Sequence, residues 1–160
     1  GEPKYLNSPE TPVYHKGNIL YGLWGNRDAL RSSGTAIVVE GYMDLIALAQ
    51  ADIHNTVASA GTALTPDHAR LLKRYAEHTV LVFDGDAAGT SAAARGIGSL
   101  FEAGMETRVV TLEEGQDPDS FVSTNHPEKL QRPRPDVVVW IMGGHIYVSS
   151  SVAESYGSGI

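Results

Sequence analysis

With 160 residues, 42% hydrophobic and 19% charged, the chain fits one compact domain with a real core rather than two. It has no cysteine, which excludes disulfides and cysteine-based zinc sites. Its net charge of −7 argues against a protein that coats nucleic acid nonspecifically, because that affinity comes from clustered Lys and Arg. The opening Gly1-Glu2-Pro3-Lys4 has no basic-then-apolar signal pattern, and no apolar run approaches the roughly 20 residues that span a bilayer. A soluble, cytoplasmic protein with no membrane partner is expected.

Residues 1–17 contain Pro3, Pro9 and Pro12 with Asn7, Ser8 and Gly17, and read as irregular or edge structure. Within them Lys4, Tyr5 and Lys16 set two cations beside an aromatic ring, a combination that suits phosphate and base together, although an ordinary solvated arm has the same composition. Ile19, Leu20, Leu23 and Trp24 mark the apolar face of a predicted helix, weakened by Gly22 and by Gly25-Asn26.

Thr35 to Val39 reads as a short apolar strand ending in Glu40-Gly41-Tyr42-Met43-Asp44. A helix follows through Leu45, Ile46, Leu48 and Ala49. Asp44 then lies in its first turn, where the helix dipole favours a carboxylate without any further role. After a short strand at Thr56 to Ala58, Thr65-Pro66-Asp67 reads as the N-cap, N1 proline and N2 acid of the next helix. Arg70, Lys73 and Arg74 form a basic stripe along that helix, a pattern usually solvated, and His54, His68 and His78 lack metal-motif spacing.

Val80 to Phe83 is too short for a helix and has no polar alternation, so it reads as a central strand covered on both faces. It ends in Asp84-Gly85-Asp86. In an extended chain residues i and i+2 point the same way, with Cα atoms about 6–7 Å apart, so two carboxylates meet at the strand's C-terminal end. Such paired hard oxygens suit Mg²⁺, which keeps waters and substrate phosphates as its other ligands. In isolation the tripeptide would be only an Asp-Gly turn. Ala87 to Ala103 follows as an alanine-rich helix. Gly96-Ile97-Gly98 lies inside it, without the strand-turn-helix context of a dinucleotide fingerprint. Thr107 to Leu112 gives a further strand, ending in a third acidic cluster from Glu113 to Asp119.

This alternation predicts an α/β fold, a mainly parallel, Rossmann-like sheet with helices on both faces. All three acidic clusters fall at C-terminal strand ends and are expected to converge at one crevice. There Glu40, Asp84, Asp86, Asp117 and Asp119 would bind one or two Mg²⁺ and clamp phosphate oxygens.

The Glu40-Gly41 pair after one hydrophobic strand and Asp84-Gly85-Asp86 after the next but one resemble the two acidic signatures of the TOPRIM fold, shared by bacterial primases, topoisomerases and certain nucleases. Within that fold the chain is most similar to the catalytic core of bacterial replicative DNA primases. The likeness runs over about residues 3–130, through Lys4 to Thr11, Lys16-Gly17, Leu20 to Leu23, Glu40 to Asp44, Gly61 to Thr65, Phe83 to Asp86, Ala88-Gly89 and Asp117-Pro118-Asp119. It implies metal-dependent nucleotidyl transfer with Mg²⁺ or Mn²⁺, joining ribonucleoside triphosphates into short RNA primers on a single-stranded DNA template. Glu40, Asp84 and Asp86 would be the central catalytic and metal-site acids, with Asp44, Asp117 and Asp119 completing the acidic crevice. Lys4, Tyr5, Asn7 and Lys16 would lie on a groove for template, primer or nucleotide.

The same likeness divides the chain into an N-terminal arm and helix of the primase core (1–34), a TOPRIM domain (35–131) and an unassigned tail (132–160). The primase's zinc-binding domain, its upstream polymerase subdomain and the region that meets the replicative helicase have no counterpart here, so an excised piece is expected. The tail resembles nothing in a primase and reads as a two-strand hairpin around Gly143-Gly144, a divergent or appended segment. Two other readings are a TOPRIM nuclease or phosphoryl-transfer enzyme, and a non-catalytic module that binds metal and nucleic acid.

Overall fold

Short runs rich in β-branched residues set the strands, and the helical segments between them supply the crossovers that parallel pairing needs. The computed structural model describes residues 8–83, 96–112, 118, 120, 138–142 and 145–149. The strands β1 (Thr35–Val39), β2 (Thr56–Ala58), β3 (His78–Phe83) and β4 (Glu106–Thr111) form one sheet in the order β2-β1-β3-β4, every pair parallel. β3 is internal, between β1 and β4, as its unbroken apolar run requires.

Alternate residues of the strands face opposite layers. Ala36, Val38 and Leu81 pack in one core with Leu30 of α1 (Leu23–Ser33), Ala69 and Leu72 of α3 (Pro66–Leu72), and Leu100 of the helix at 96–102. Ile37, Val39, Val80 and Val82 pack in a second core with Leu45 and Leu48 of α2 (Tyr42–Gln50). Helices therefore cover both faces. Gly96, the first described residue of its helix, lies against Leu64 and permits close packing: an added Cβ would stand 3.3 Å from Leu64 Cβ.

The first helix differs from its predicted position. Leu20 and Leu23 are buried, but Ile19 and Trp24 are exposed, so the four residues do not share one helical face. The physical reason is Tyr21, whose N–H and C=O both pair with Ala58 at the end of β2, at 2.9 and 3.0 Å. The chain is thus extended up to Gly22, turns there at φ 81, and enters α1 only at Leu23. Gly34, at φ 66, ends α1 by donating its N–H to the Leu30 carbonyl at 2.9 Å.

Of the three basic residues predicted along α3, only Arg70 lies in the helix, which ends at Leu72, while Lys73 and Arg74 fall in the turn after it. Two of the three are occupied locally. Arg70 pairs with Asp67, and Lys73 Nζ donates to the Gly104 carbonyl at 2.8 Å, tying α3 to the turn after the 96–102 helix. In the tail, β5 (Val138–Met142) and β6 (His145–Ser149) pair antiparallel as a separate two-stranded sheet, with Met142 opposite His145, the hairpin that the two glycines predict.

Candidate metal and nucleotide site

The parallel register sets the C-terminal ends of β1 and β3 side by side. Val38 pairs with Leu81; two residues further along stand Glu40 on one strand and Phe83 on the other. Glu40 is half-buried, with its Oε1 out of solvent. Its backbone is held from the β2 side, since Ala60 donates its N–H to the Glu40 carbonyl at 2.9 Å and Ser59 to the Val39 carbonyl at 3.2 Å. Ala60 makes this bond at φ 56, in the left-handed region that costs a non-glycine residue of order 1 kcal/mol or more and that recurs at functional sites.

Asp44 is the third residue of α2, and its Oδ2 accepts the Gly41 N–H at 3.0 Å. This is half of a capping box: an orphan donor at the helix start is satisfied by a first-turn acid, while Gly41 has no side chain to return the bond. Gly41 is needed for that approach, because an added Cβ would lie 2.9 Å from Asp44 Oδ2. Asp44 therefore carries the helix-start role that its spacing predicts. Beside it, Tyr42 packs edge-on against Tyr21, with centroids 4.7 Å apart. Burial, with a smaller contribution from nearby Tyr14, pushes the Tyr42 phenol up, which keeps it protonated.

Asp84, Asp86, Asp117 and Asp119 lie outside the described residues, as do Lys4, Tyr5 and Asn7. Among the described residues no three His, Asp or Glu side chains are grouped closely enough to hold a metal ion. What this edge offers a cation is chemically apt: Glu40 is a hard oxygen donor at a strand end, the donor type Mg²⁺ selects.

Lys16 is described, and its surroundings contain partners that the sequence reading missed. It opens a 3-10 turn at Lys16–Asn18. Its N–H donates to Glu10 Oε1 at 2.9 Å, which, with lesser help from His15, holds the Glu10 carboxyl below its ordinary range. Its carbonyl accepts from Nε2 of the fully buried His68 at 2.8 Å. The other ring nitrogen, Nδ1, accepts the Thr65 N–H at 3.3 Å, so the neutral ring carries its proton on Nε2. Thr65 Oγ1 accepts the His68 N–H at 3.1 Å, as the N-cap pattern predicts, and also donates to the Gly17 carbonyl at 2.6 Å. The start of α3 thus grips both residues 16 and 17. Burial pushes the His68 pKa down, against the opposing pull of the Lys16 and Ile19 carbonyls and the Asp67 charge. Only the Thr-Pro-Asp cap was visible in the sequence; the bonds to a segment some fifty positions away were not.

Comparison with known proteins agrees with this arrangement. Residues 37–122 match the Toprim-like family, and residues 1–27 match the N-terminal domain of the DNA primase catalytic core. The DNA primase of Clostridium acetobutylicum is 51% identical over 132 residues, covering 82% of this chain and 22% of the relative. That of Pseudomonas aeruginosa is 50% identical over 124 residues, covering 76% and 19%. The chain therefore spans about a fifth of the length of these relatives. A crystal structure of the Aquifex aeolicus primase, comprising its zinc-binding and RNA polymerase domains, superposes with a TM-score of 0.76 at 42% identity, over 81% of this chain and 32% of that one. A DnaG primase catalytic domain bound to single-stranded DNA gives 0.74 at 41% identity, over 81% and 42%. With its family match covering more than half of the chain and its parallel sheet superposing on solved primase cores, the chain belongs to the Toprim-like family, in the form carried by the catalytic core of DNA primases.

Proposed function

We propose that the chain is the metal-binding TOPRIM part of a DNA primase's catalytic core, and that it serves nucleotidyl transfer: ribonucleoside triphosphates joined on a single-stranded DNA template in the cytoplasm. The observation that carries this reading is Glu40 at the C-terminal end of β1, beside β3, in a sheet that superposes on a DnaG catalytic domain bound to single-stranded DNA. Glu40, Asp84 and Asp86 would hold the cation, Mg²⁺ or Mn²⁺, with Asp44, Asp117 and Asp119 adding negative charge around it. A bound divalent ion supplies charge neutralisation at phosphate oxygens. Lys4, Tyr5, Asn7 and Lys16 would guide the anionic strand or nucleotide, and the His68–Thr65 grip fixes the backbone that carries Lys16. Residues 1–34 would form the arm and helix, 35–131 the TOPRIM domain, and 132–160 an added tail. A replicative helicase would be met through other regions of a whole primase.

The test is paramagnetic relaxation by Mn²⁺. Amide signals of Glu40 to Asp44 are expected to broaden at low Mn²⁺, and the broadening to collapse in the Asp84→Ala/Asp86→Ala double variant. Broadening that centres elsewhere and survives both substitutions would sink the assignment. The chain by itself is expected to incorporate no labelled ribonucleotide on a single-stranded template, because one part of a core cannot hold template, primer end and nucleotide in attack geometry, which supplies on the order of 7–11 kcal/mol. Metal-dependent synthesis above an Asp84→Ala blank would contradict this.

A further inference from the structure

Helices α1 and α3 lie on the same face of the sheet and share one core. Their solvent side differs in charge from the rest of the chain. Over residues 23–34 and 66–77 five basic side chains (Arg27, Arg31, Arg70, Lys73, Arg74) stand against three acidic ones (Asp28, Asp67, Glu77), in a chain whose net charge is −7. Arg70 and Lys73 are engaged by Asp67 and by the Gly104 carbonyl. Arg27 and Arg31 are differently disposed: each meets Asp28 only at 3.9 Å, and each lies over an aromatic ring. The Arg27 guanidinium carbon is 4.3 Å from the Trp24 ring centroid, and that of Arg31 is 4.9 Å from the Tyr75 centroid.

Trp24 is 78% exposed. An exposed apolar ring by itself needs no explanation. This one is held in place, because Arg27 both covers one face of the indole and donates Nη1 to the Trp24 carbonyl, while the high exposure leaves the other face to solvent. Its neighbours one turn on are Arg27 and Asp28, so charged groups flank the ring along the helix. Arg31 lies seven positions along, about 10 Å by the rise of a helix, and Arg74 is exposed next to Tyr75. Fixed guanidinium groups at that spacing beside an open indole combine phosphate attraction with a π-face for stacking.

We propose that the α1–α3 face is a contact surface for single-stranded nucleic acid, in addition to the acidic crevice, with a base stacked on the open face of Trp24 and neighbouring phosphates on Arg27, Arg31 and Arg74. The ligand is single-stranded because a duplex keeps its base faces inside the stack, whereas unpaired bases present them. Stacking tolerates any base, so the surface recognises strand character and not sequence.

The chain has two tryptophans, so Trp140→Phe leaves Trp24 as the single indole. Titrating this protein with short oligothymidylate at low salt is expected to quench Trp24 emission saturably, and the affinity to fall steeply as salt is raised. Trp24→Leu and the double reversal Arg31→Glu/Arg74→Glu, each followed by anisotropy of a labelled strand, are expected to weaken binding at least tenfold. All three positions are on the surface, and a cooperative melt checks that each variant is folded; if Trp24→Leu fails that check, the charge reversal carries the test. Trp24 emission that stays constant while the anisotropy saturates overturns the proposal, as does a charge reversal that leaves affinity within twofold. Either of those results would be expected if the face met a protein instead. Mn²⁺ relaxation reads the Glu40 edge and this titration reads Trp24, so failure of one assignment is distinguishable from failure of the other.

Discussion

Replacing His68 by Leu is expected to lower stability by on the order of 3 kcal/mol and to flatten its dependence on pH below about 6.5. The buried ring satisfies two backbone groups at once, the Lys16 carbonyl and the Thr65 N–H. Leucine fills comparable space but satisfies neither, and each orphaned group costs about 1–3 kcal/mol. The pH effect follows from burial. Because burial pushes the folded-state pKa of His68 down, the unfolded chain binds the proton more readily. Stability is therefore fully present above the unfolded value near 6.5 and is lost as pH falls below it. Glu10 acts in the same sense at lower pH: its depressed pKa contributes stability that is present above the ordinary carboxylate value and lost as pH falls through the folded one. Thermal melts from pH 2 to 8 separate the two, since the leucine variant keeps only the lower step. A wild-type midpoint that is constant from pH 7 to 5 would show that His68 is not held neutral by the fold.

Two glycines three positions apart at the start of α1 are expected to respond oppositely to alanine. Gly22→Ala should cost about 2–3 kcal/mol, because Gly22 sits at φ 81, where a side chain is strained by about 1–2 kcal/mol, and because the new Cβ would stand 2.5 Å from Leu45 Cδ1. Leu45 is buried in the core beneath α2, so it cannot swing into solvent; the relief available is a shift of α2, which carries Asp44 directly after the Glu40-Gly41 turn. Gly25→Ala, within α1 with nothing inside 4 Å of the added Cβ, should instead stabilise by roughly 0.5–1 kcal/mol. Urea unfolding of the two single variants checks both signs. Equal effects would mean that backbone freedom in the unfolded chain, common to both positions, outweighs the contact with Leu45.

The strands of the sheet were legible because each carries a short stretch of apolar or β-branched residues between polar turns, and their parallel sense followed from their alternation with helices, while the strand order came only from the structure. Glu40 was legible as a strand-end acid, and Asp44 as a first-turn acid, because both readings depend on residues within five positions. The start of α1 was misread for the opposite reason. The spacing of Ile19, Leu20, Leu23 and Trp24 fits a helical face, but Tyr21 pairs with Ala58 some forty positions away, and that long-range pairing holds the chain extended until Gly22 turns it. His68 was dismissed as lacking metal spacing, a correct negative that concealed its use: a histidine with two backbone partners leaves no periodicity to read.

By itself, then, the sequence determined what local chemistry can determine: the apolar runs that must be strands, the caps and glycines that bound the helices, the acids that follow three of the four sheet strands, and a likeness specific enough to point to the family. The tertiary structure alone decided which of the two faces each strand residue serves, the left-handed Ala60 bonded to the Glu40 carbonyl, the grip of His68 and Thr65 on residues 16 and 17, and the stacking of Arg31 of α1 on Tyr75 in the turn after α3. The division has a physical cause. Propensity and capping act within a turn or two of chain, whereas burial, register and hydrogen bonds between distant segments exist only once the sheet has brought those segments together.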